Sequence, residues 1–358
     1  RQCLGRVCIC TRPWCIKKGL AVGPFLRFAT LRAGLALVTL LLVSLIVFSL
    51  MELVPGNCAE RYLAYKNTQG ENISFEDIAA EEARLGLDQP FLIRWGTWTV
   101  NAFQGDFGTS CILRVDIAQL LGDKFLISAL ICFAALFMAY LIAIPVGIYA
   151  ASSRNPVINN ALRLVSYLGL ALPNFLLALM IMLFFTVYYG DTMTGLFSRE
   201  FRDADWSWAR VQDFLGRAWL PVFILGWSAT AFALQTVRAL MLDENDKLYV
   251  TAARARGLYG SRLRWRYPAR HALGPIVNSL GFDLNRIFNE LPIVAVILTL
   301  TEAGALLLEA LARSNDQQLA GAIIFLLTAT IVGLNFVTDL ALALLDPRMR
   351  NSVLGARA

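Results

Sequence analysis

Residues 249–275 read YVTAARARGLYGSRLRWRYPARHALGP, and this basic stretch decides how the rest of the chain is interpreted. It lies between two long apolar runs, at 218–242 and 276–301. Six arginines surround a few small residues, and helical spacing predicts that Ala253 and Gly257 share one face, one turn apart. That face carries no bulky side chain, so the surface of another protein can approach its backbone closely.

The composition indicates a membrane protein. Apolar residues make up 57% of the chain and charged residues 16%, whereas soluble domains contain about 25% charged residues. Some stretches are long enough to cross about 30 Å of hydrocarbon at about 1.5 Å per residue. They are residues 30–53, 125–151, 163–189, 218–242, 276–301 and 320–345. We therefore predict an all-α integral membrane protein with six transmembrane helices.

The distribution of charge predicts the orientation of these helices. Residues 1–32 carry seven basic side chains and no acid, which predicts a cytoplasmic N-terminal segment, 1–29. Acids outnumber bases in the next soluble segment, 54–124, which we predict to be a periplasmic insertion between helices 1 and 2. The predicted core is 125–348, followed by a cytoplasmic tail, 349–358. This topology accounts for the net charge of +6, so no nucleic-acid partner is expected.

Short motifs occur along the chain in a fixed order. They are VPGN at 54–57, GLDQP at 86–90, GDFGTS at 105–110, TAA-x-x-x-G at 251–257 with a proline at 275, and LDPR at 345–348. Together they resemble the inner-membrane permeases of ABC importers of the dipeptide, oligopeptide and nickel type. In that family the small-residue stretch is the EAA loop, and Thr251 stands here where the family has glutamate.

The resemblance implies the architecture of a type I ABC importer permease, with a coupling helix at about 247–260 that docks on a cytoplasmic ATPase. The residues that it assigns to coupling are Thr251, Ala252, Ala253, Arg254, Arg256, Gly257 and Leu258. A basic cytoplasmic loop without a docking role is the other interpretation. The resemblance also implies a bacterial inner membrane, with both termini cytoplasmic, a second permease subunit in a heterodimer, two ATPase subunits, and a periplasmic substrate-binding protein.

No phosphate-binding G-x-x-x-x-G-K-[ST] motif is present in the sequence. ATP and Mg²⁺ are therefore expected on the partner ATPases, while this chain is expected to bind no cofactor or metal and to have no catalytic residue. The expected function is that of a permease that imports peptides or peptide-like small polar solutes. Such a chain is not itself an enzyme.

The fifth apolar stretch is unusually polar. Arg286 follows Asp283 at i,i+3 and precedes Glu290 at i,i+4, so one arginine can pair with both acids on a helix. Charges at membrane depth cost about 2.5–3.5 kcal/mol each unless they meet water or partners. The residues predicted to line a translocation path are Asn278, Asp283, Asn285, Arg286, Asn289 and Glu290. The alternatives are a structural ion-pair network, the proton-binding residues of a proton-coupled carrier, or the catalytic group of a polytopic membrane enzyme.

Three further features leave alternatives open. Cys58 and Cys111 both fall in the predicted periplasmic segment, where oxidation is permitted, and form a candidate disulfide. Pro173, in the third apolar stretch, predicts either a packing kink or a bend that lines a cavity. Four more cysteines fit reduced cytoplasmic thiols, acylation sites or metal ligands; they are Cys3, Cys8, Cys10 and Cys15.

Overall fold

The computed structural model describes residues 22–53, 56–68, 74–84, 89–153, 155–190, 194–198, 200–201, 204–300, 303–312 and 316–345. Within these ranges the chain forms thirteen α-helices. They are α1 Val22–Leu53, α2 Cys58–Thr68, α3 Phe75–Arg84, α4 Phe91–Phe103, α5 Ile117–Ser152, α6 Pro156–Ala171, α7 Asn174–Tyr189, α8 Trp208–Asn245, α9 Leu248–Ala255, α10 Gly260–Arg266, α11 Pro268–Ile297, α12 Ala303–Ala312 and α13 Gln317–Leu345. Some predictions lie outside the described residues: the N-terminal cysteines, the motif residues 54–55, 86–88 and 346–348, and the tail 349–358.

Four of the described helices are long and apolar enough to cross a membrane, namely α1, α5, α8 and α13. They contain the predicted spans 30–53, 125–151, 218–242 and 320–345. α5 is interrupted at Gly122, whose φ is 32° and ψ −125°, and residues 123–152 after this kink span about 45 Å at 1.5 Å per residue. α8 has 38 residues, which corresponds to about 57 Å. Both helices therefore extend beyond the roughly 30 Å of hydrocarbon at one or both ends.

The predicted third span, 163–189, is not a single straight helix. α6 and α7 meet at an angle of 99° next to Pro173. Proline has no N–H to continue the helix, and Leu172 before it adopts an extended backbone with φ −88° and ψ 115°. The bent pair gives a fifth candidate span if it is counted as one. α11 covers residues 276–297 of the predicted span 276–301, but it carries charged groups and is not among these candidates.

The main core forms where α5 and α8 pack against each other and against α11. Two glycines allow the backbones of α5 and α8 to approach closely. A Cβ added to Gly147 would lie 2.8 Å from the Val237 side chain, and one added to Gly226 would lie 3.1 Å from the carbonyl oxygen of Ala135. The sequence therefore fixes the crossing of these two helices by leaving out side chains at the contact.

A second core cluster joins α4, α5, α12 and α13. α1 packs beside α13, and Arg32 of α1 forms an ion pair with Asp339 of α13 at 2.8 Å. On α13, Asn335 packs directly against Gly281 of α11, where no side chain larger than hydrogen would fit. α13 therefore connects the peripheral helix α1 to the central helix α11.

The segment between α1 and α5 is tied down at several points. Cys58 at the start of α2 forms a disulfide with Cys111, so the loop before α5 is bonded to the end of the α1–α2 connection. The buried Ser110 hydroxyl donates to Asp316, 206 residues later. Asp316 also accepts the Leu319 N–H at 3.1 Å and so caps the first turn of α13. The loop before α5 is thus bonded to both α2 and α13.

Candidate functional site

The basic stretch folds into two short helices, α9 and α10, which we call the arginine loop, residues 247–267. It has a small core of its own, in which Val250, Ala253 and Leu263 are buried. Tyr249 donates its hydroxyl hydrogen to Glu244 of α8, and its ring lies 5.0 Å from that of His271. Burial and the hydrogen bond to the carboxylate raise the pKa of Tyr249 above its usual value. The loop is therefore packed against the ends of α8 and α11.

Gly257 does not share a helical face with Ala253, and this part of the sequence interpretation is wrong. α9 ends at Ala255, and Gly257 adopts φ +82° in the left-handed region. The Gly257 N–H bonds to the Arg254 carbonyl at 2.9 Å, and the Leu258 N–H bonds to the Ala253 carbonyl at 3.2 Å. This pair of bonds is the Schellman motif, which most often uses glycine because glycine pays no Cβ penalty there. Gly257 therefore ends the helix.

The residues predicted for coupling divide into two groups. Ala253 is buried in the loop core and Leu258 packs against it. Five members are exposed; they are Thr251, Ala252, Arg254, Arg256 and Gly257. Three large apolar side chains are exposed beside them: Leu248 at 87%, Tyr259 at 71% and Trp265 at 49%. The outer surface of the arginine loop is therefore small, basic and partly apolar, which is the composition of a protein contact surface.

In the middle of α11, the three charged residues Asp283, Arg286 and Glu290 point into the helix bundle. Asp283 is fully buried and accepts the hydroxyl hydrogen of Tyr140 from α5, whose oxygen is also 2.9 Å from Ser279. Arg286 lies farther off, with its Nη2 3.9 Å from Asp283 Oδ1, and its guanidinium is 5.2 Å from the centre of the Phe232 ring. Hence Tyr140, rather than Arg286, makes the direct hydrogen bond to Asp283.

Glu290 forms the other half of this polar network. Its carboxylate accepts a hydrogen bond from Asn174, the first residue of α7 after the 99° bend. The Asn174 amide also lies 3.2 Å from the Ser228 hydroxyl and 3.3 Å from the Leu225 carbonyl of α8. One side chain therefore connects α7, α8 and α11 at the bend.

The six residues predicted for the path occupy two different faces of α11. Asp283, Arg286 and Glu290 belong to the polar network between helices. Asn278 and Asn289 are exposed and Asn285 is half-buried, on a face that the described helices leave uncovered. Asn289 donates to Asn285 at 3.4 Å. The structure thus separates a charged inner face from an uncharged amide face.

Sequence reasoning missed several members of the polar network. Tyr140 and Ser228 come from other helices, as does the Phe232 ring that contacts Arg286, and nothing in the spacing along α11 reveals them. Asn174 directly follows Pro173, where the sequence predicts only a kink or a bend. The available signal was a polar side chain inside an otherwise apolar run, since such groups need a partner when they are buried.

A polar cavity of 360 Å³ lies at the opposite end of α8 from the arginine loop. Gln212, Asp213 and Arg217 provide its polar lining. Asp213 accepts the Ser198 N–H at 2.7 Å and lies 3.6 Å from Arg217 Nε. α8 therefore carries a charged surface at one end and a charged cavity at the other.

The chain matches a family described as binding-protein-dependent transport system inner membrane component over residues 143–351, and the N-terminal component of the same systems over residues 25–125. It is 26% identical to the oligopeptide transport system permease protein AppB of Bacillus subtilis (strain 168), over 89% of this chain and 97% of that protein. It is also 26% identical to the nickel import system permease protein NikB of Staphylococcus aureus (strain bovine RF122 / ET3-1), over 88% and 89% of the two chains.

The fold is similar to that of a chain in an inward-facing crystal structure of the MetNI methionine ABC transporter. The TM-score is 0.50 at 16% identity, over 64% of this chain and 97% of that one. The family membership favours a permease over a proton-coupled carrier or a membrane enzyme, the two alternatives for the Asp283, Arg286 and Glu290 cluster. Since the first description matches more than half of the sequence, this chain belongs to the family of binding-protein-dependent transport system inner membrane components, as a multi-pass permease subunit.

Proposed function

We propose that this permease imports peptides or peptide-like small polar solutes across a bacterial inner membrane, using ATP that partner subunits hydrolyse. The names of the relatives support this substrate class, because an oligopeptide permease aligns over nearly its whole length. The observation that carries the coupling role is the exposed surface of the arginine loop. The arginine loop has its own small core and directly follows α8, so it can transmit force from a bound partner to that helix.

The exposed coupling residues form the contact with an ATPase subunit in this proposal. Ala252 contributes a flat surface, while Arg254 and Arg256 contribute charge for acidic or carbonyl groups of the partner. Ala253, Gly257 and Leu258 act indirectly, since they hold the end of α9 in shape. Mg²⁺ and ATP bind to the two ATPase subunits, and this chain does not hydrolyse ATP.

The same proposal orients the chain. The arginine loop and both termini face the cytoplasm, consistent with the basic residues of the loop and of the N-terminal segment. The segment 54–124 then faces the periplasm, together with the cavity near Asp213, and a substrate-binding protein delivers solute there. Six spans result if the α6–α7 pair and α11 each cross the membrane.

We place the translocation path along the amide face of α11, with a second permease subunit completing it as a heterodimer. Asparagine amides both donate and accept hydrogen bonds, so they can replace water around a polar solute. Asp283, Arg286 and Glu290 then hold α11 against α5, α7 and α8 instead of contacting solute directly. The double variant Asn285→Leu with Asn289→Leu should slow uptake about fivefold, about 1 kcal/mol, with the complex still assembled. Unchanged uptake would remove this face from the path.

The docking role is tested by adding bulk to the exposed coupling surface. Ala252 has helical backbone within α9, so Ala252→Trp adds volume without the backbone strain that substitution of Gly257 would introduce. We expect the ATPase subunits to dissociate during co-purification and ATP-driven uptake to fall about tenfold or more, which corresponds to about 1.4 kcal/mol. The amount of chain in the membrane should not change.

The matched control is Ala209→Trp, at an exposed alanine near the opposite end of α8. This variant should keep the ATPase subunits bound during co-purification. If Ala252→Trp also behaves like the unmodified chain, the arginine loop is not the docking site and the coupling proposal is wrong.

A further inference from the structure

α4 has the wrong polarity for a helix that faces water. It belongs to the segment 54–124, which the charge balance predicts to be soluble, yet its sequence, FLIRWGTWTVNAF, contains no acid and a single basic residue. A helix on the surface of a soluble domain buries its apolar side chains and exposes its polar ones. In α4 the inward face carries polar groups together with the core residues Trp98 and Ala102, and the outward face is also apolar.

The polar side chains of α4 point toward the protein. Arg94 forms an ion pair with Glu52 near the end of α1. The Trp95 indole N–H donates to the Ser44 hydroxyl at 3.2 Å, and the buried Thr99 donates to the same hydroxyl at 3.4 Å. Each of these groups therefore has its partner on α1.

The outward arc of α4 is apolar. Leu92 is 67% exposed, and Ile93 and Val100 are each 55% exposed. Thr97 is the polar member of this arc within the helix, and its hydroxyl is bonded back to the Ile93 carbonyl at 3.0 Å. In water this row of side chains would leave a large apolar patch uncovered.

The position of α4 along α1 places it at membrane depth. Residues 33–51 of α1 carry no charge and span about 28 Å, close to the thickness of a bilayer's hydrocarbon core. α4 crosses α1 around Phe48, whose ring lies 5.4 Å from Phe91 and 6.0 Å from Trp98. Ser44 is the hydrogen-bond partner of Trp95 and Thr99. It precedes Glu52 by eight residues, so the two residues are about 12 Å apart along the axis of α1.

The exposed apolar surface of α4 lies at the same level along α1 as an exposed apolar face of α1 itself. Leu42, Ile46 and Leu50 form one exposed face of α1 on either side of Phe48, each more than half exposed. This face borders lipid if α1 spans the membrane. The outward arc of α4 lies at the same depth, and the ion pair of Arg94 with Glu52 marks the level at which water begins.

We infer that α4 lies within the membrane, in the leaflet at the C-terminal end of α1, and that acyl chains of lipids cover its outward arc. The segment between α1 and α5 is thus only partly soluble: α2 and α3 face water, and α4 forms a lipid-contacting belt across α1 and α13. Phe325 of α13 completes the inner side of the belt, 5.6 Å from Trp98 and 5.9 Å from Phe103.

Site-specific photocrosslinking tests this placement. p-Benzoylphenylalanine is introduced at Val100 and, in a second variant, at Ile93 of the full chain, and native membranes are irradiated. Mass spectrometry of the purified chain then identifies the adducts. Leu42 on α1 is the lipid-facing control, and the exposed Asn67 on α2 is the water-facing control. Retention of the Cys58–Cys111 disulfide on non-reducing gels shows that the segment has folded.

We expect phospholipid adducts at positions 93 and 100, as at position 42, and none at position 67. Protein adducts at both positions 93 and 100 would show that a second membrane protein covers α4, and would overturn the inference. Absence of adducts at both positions, as expected at position 67, would also overturn it, because α4 would then face water.

Discussion

α4 and α9 are both short helices next to a spanning helix, and they point their side chains in opposite directions. In α9, Val250 is buried and Arg254 is exposed. In α4, Arg94 is directed toward Glu52 of α1, while Val100 is more than half exposed. The same two residue types thus exchange inner and outer positions. The comparison teaches that the environment of a helix, water or lipid, is better inferred from the side chains on its outer face than from the segment of the chain to which it belongs.

The largest expected difference comes from placing a charge on each outward face. Val100→Lys should lower the free energy of unfolding by about 2 kcal/mol, less than the 2.5–3.5 kcal/mol expected at a bilayer centre because lysine can snorkel. Ala252→Lys on α9 should change it by less than about 0.5 kcal/mol, since that position faces water. Denaturant titration in lipid nanodiscs measures both values. Equal effects at the two positions would contradict the contrast between the helices.

Removal of the arginines should have an intermediate effect. Arg94→Leu deletes the ion pair with Glu52, and we expect a loss of about 1.5 kcal/mol, limited by the exposure of the Glu52 carboxylate. Arg254→Leu on α9 should be nearly neutral for stability. The same titration provides the measurement. A neutral Arg94→Leu would mean that the inward cation of α4 contributes nothing to its attachment to α1.

The smallest effects come from two glycines, and their signs should be opposite. Gly96 lies inside α4 with no atom within 4 Å of an added Cβ, so Gly96→Ala should stabilise by about 0.5–1 kcal/mol through helix propensity. Gly257 also has open space, but its φ of +82° disfavours any Cβ, so Gly257→Ala should destabilise by about 1 kcal/mol. Thermal unfolding resolves this difference in sign. A stabilising Gly257→Ala would contradict the Schellman ending of α9.

The sequence predicted the fold best where a single pattern dominates. Long apolar runs predicted α1, α5, α8 and α13, because each of these helices buries a continuous apolar surface or exposes it to lipid. The sequence predicted that the chain bends at Pro173, but it did not predict the angle. The angle of 99° depends on contacts that Asn174 makes with α8 and α11, and such contacts are not encoded near the proline. For α4, the acidic residues around it predict a soluble segment, whereas its own composition is apolar.

For the candidate site, sequence spacing located the right segment and misjudged its geometry. The interval from Ala253 to Gly257 fits one helical turn, but glycine after a helical stretch also predicts a helix end, and the structure shows a helix end here. On α11, the i,i+3 and i,i+4 spacing correctly placed Asp283, Arg286 and Glu290 on one side. It could not show that their hydrogen-bond partners are Tyr140 and Asn174, which come from distant parts of the chain.

The links around α13 have a mechanical consequence. Arg32 and Asp339 join α1 to α13 near one end, while Ser110 and Asp316 join the loop before α5 to α13 near the other. α4 bridges the two helices through Ser44 and Phe325. Because of these contacts, we expect α1 and α4 to move together with α13 if α13 tilts during a transport cycle.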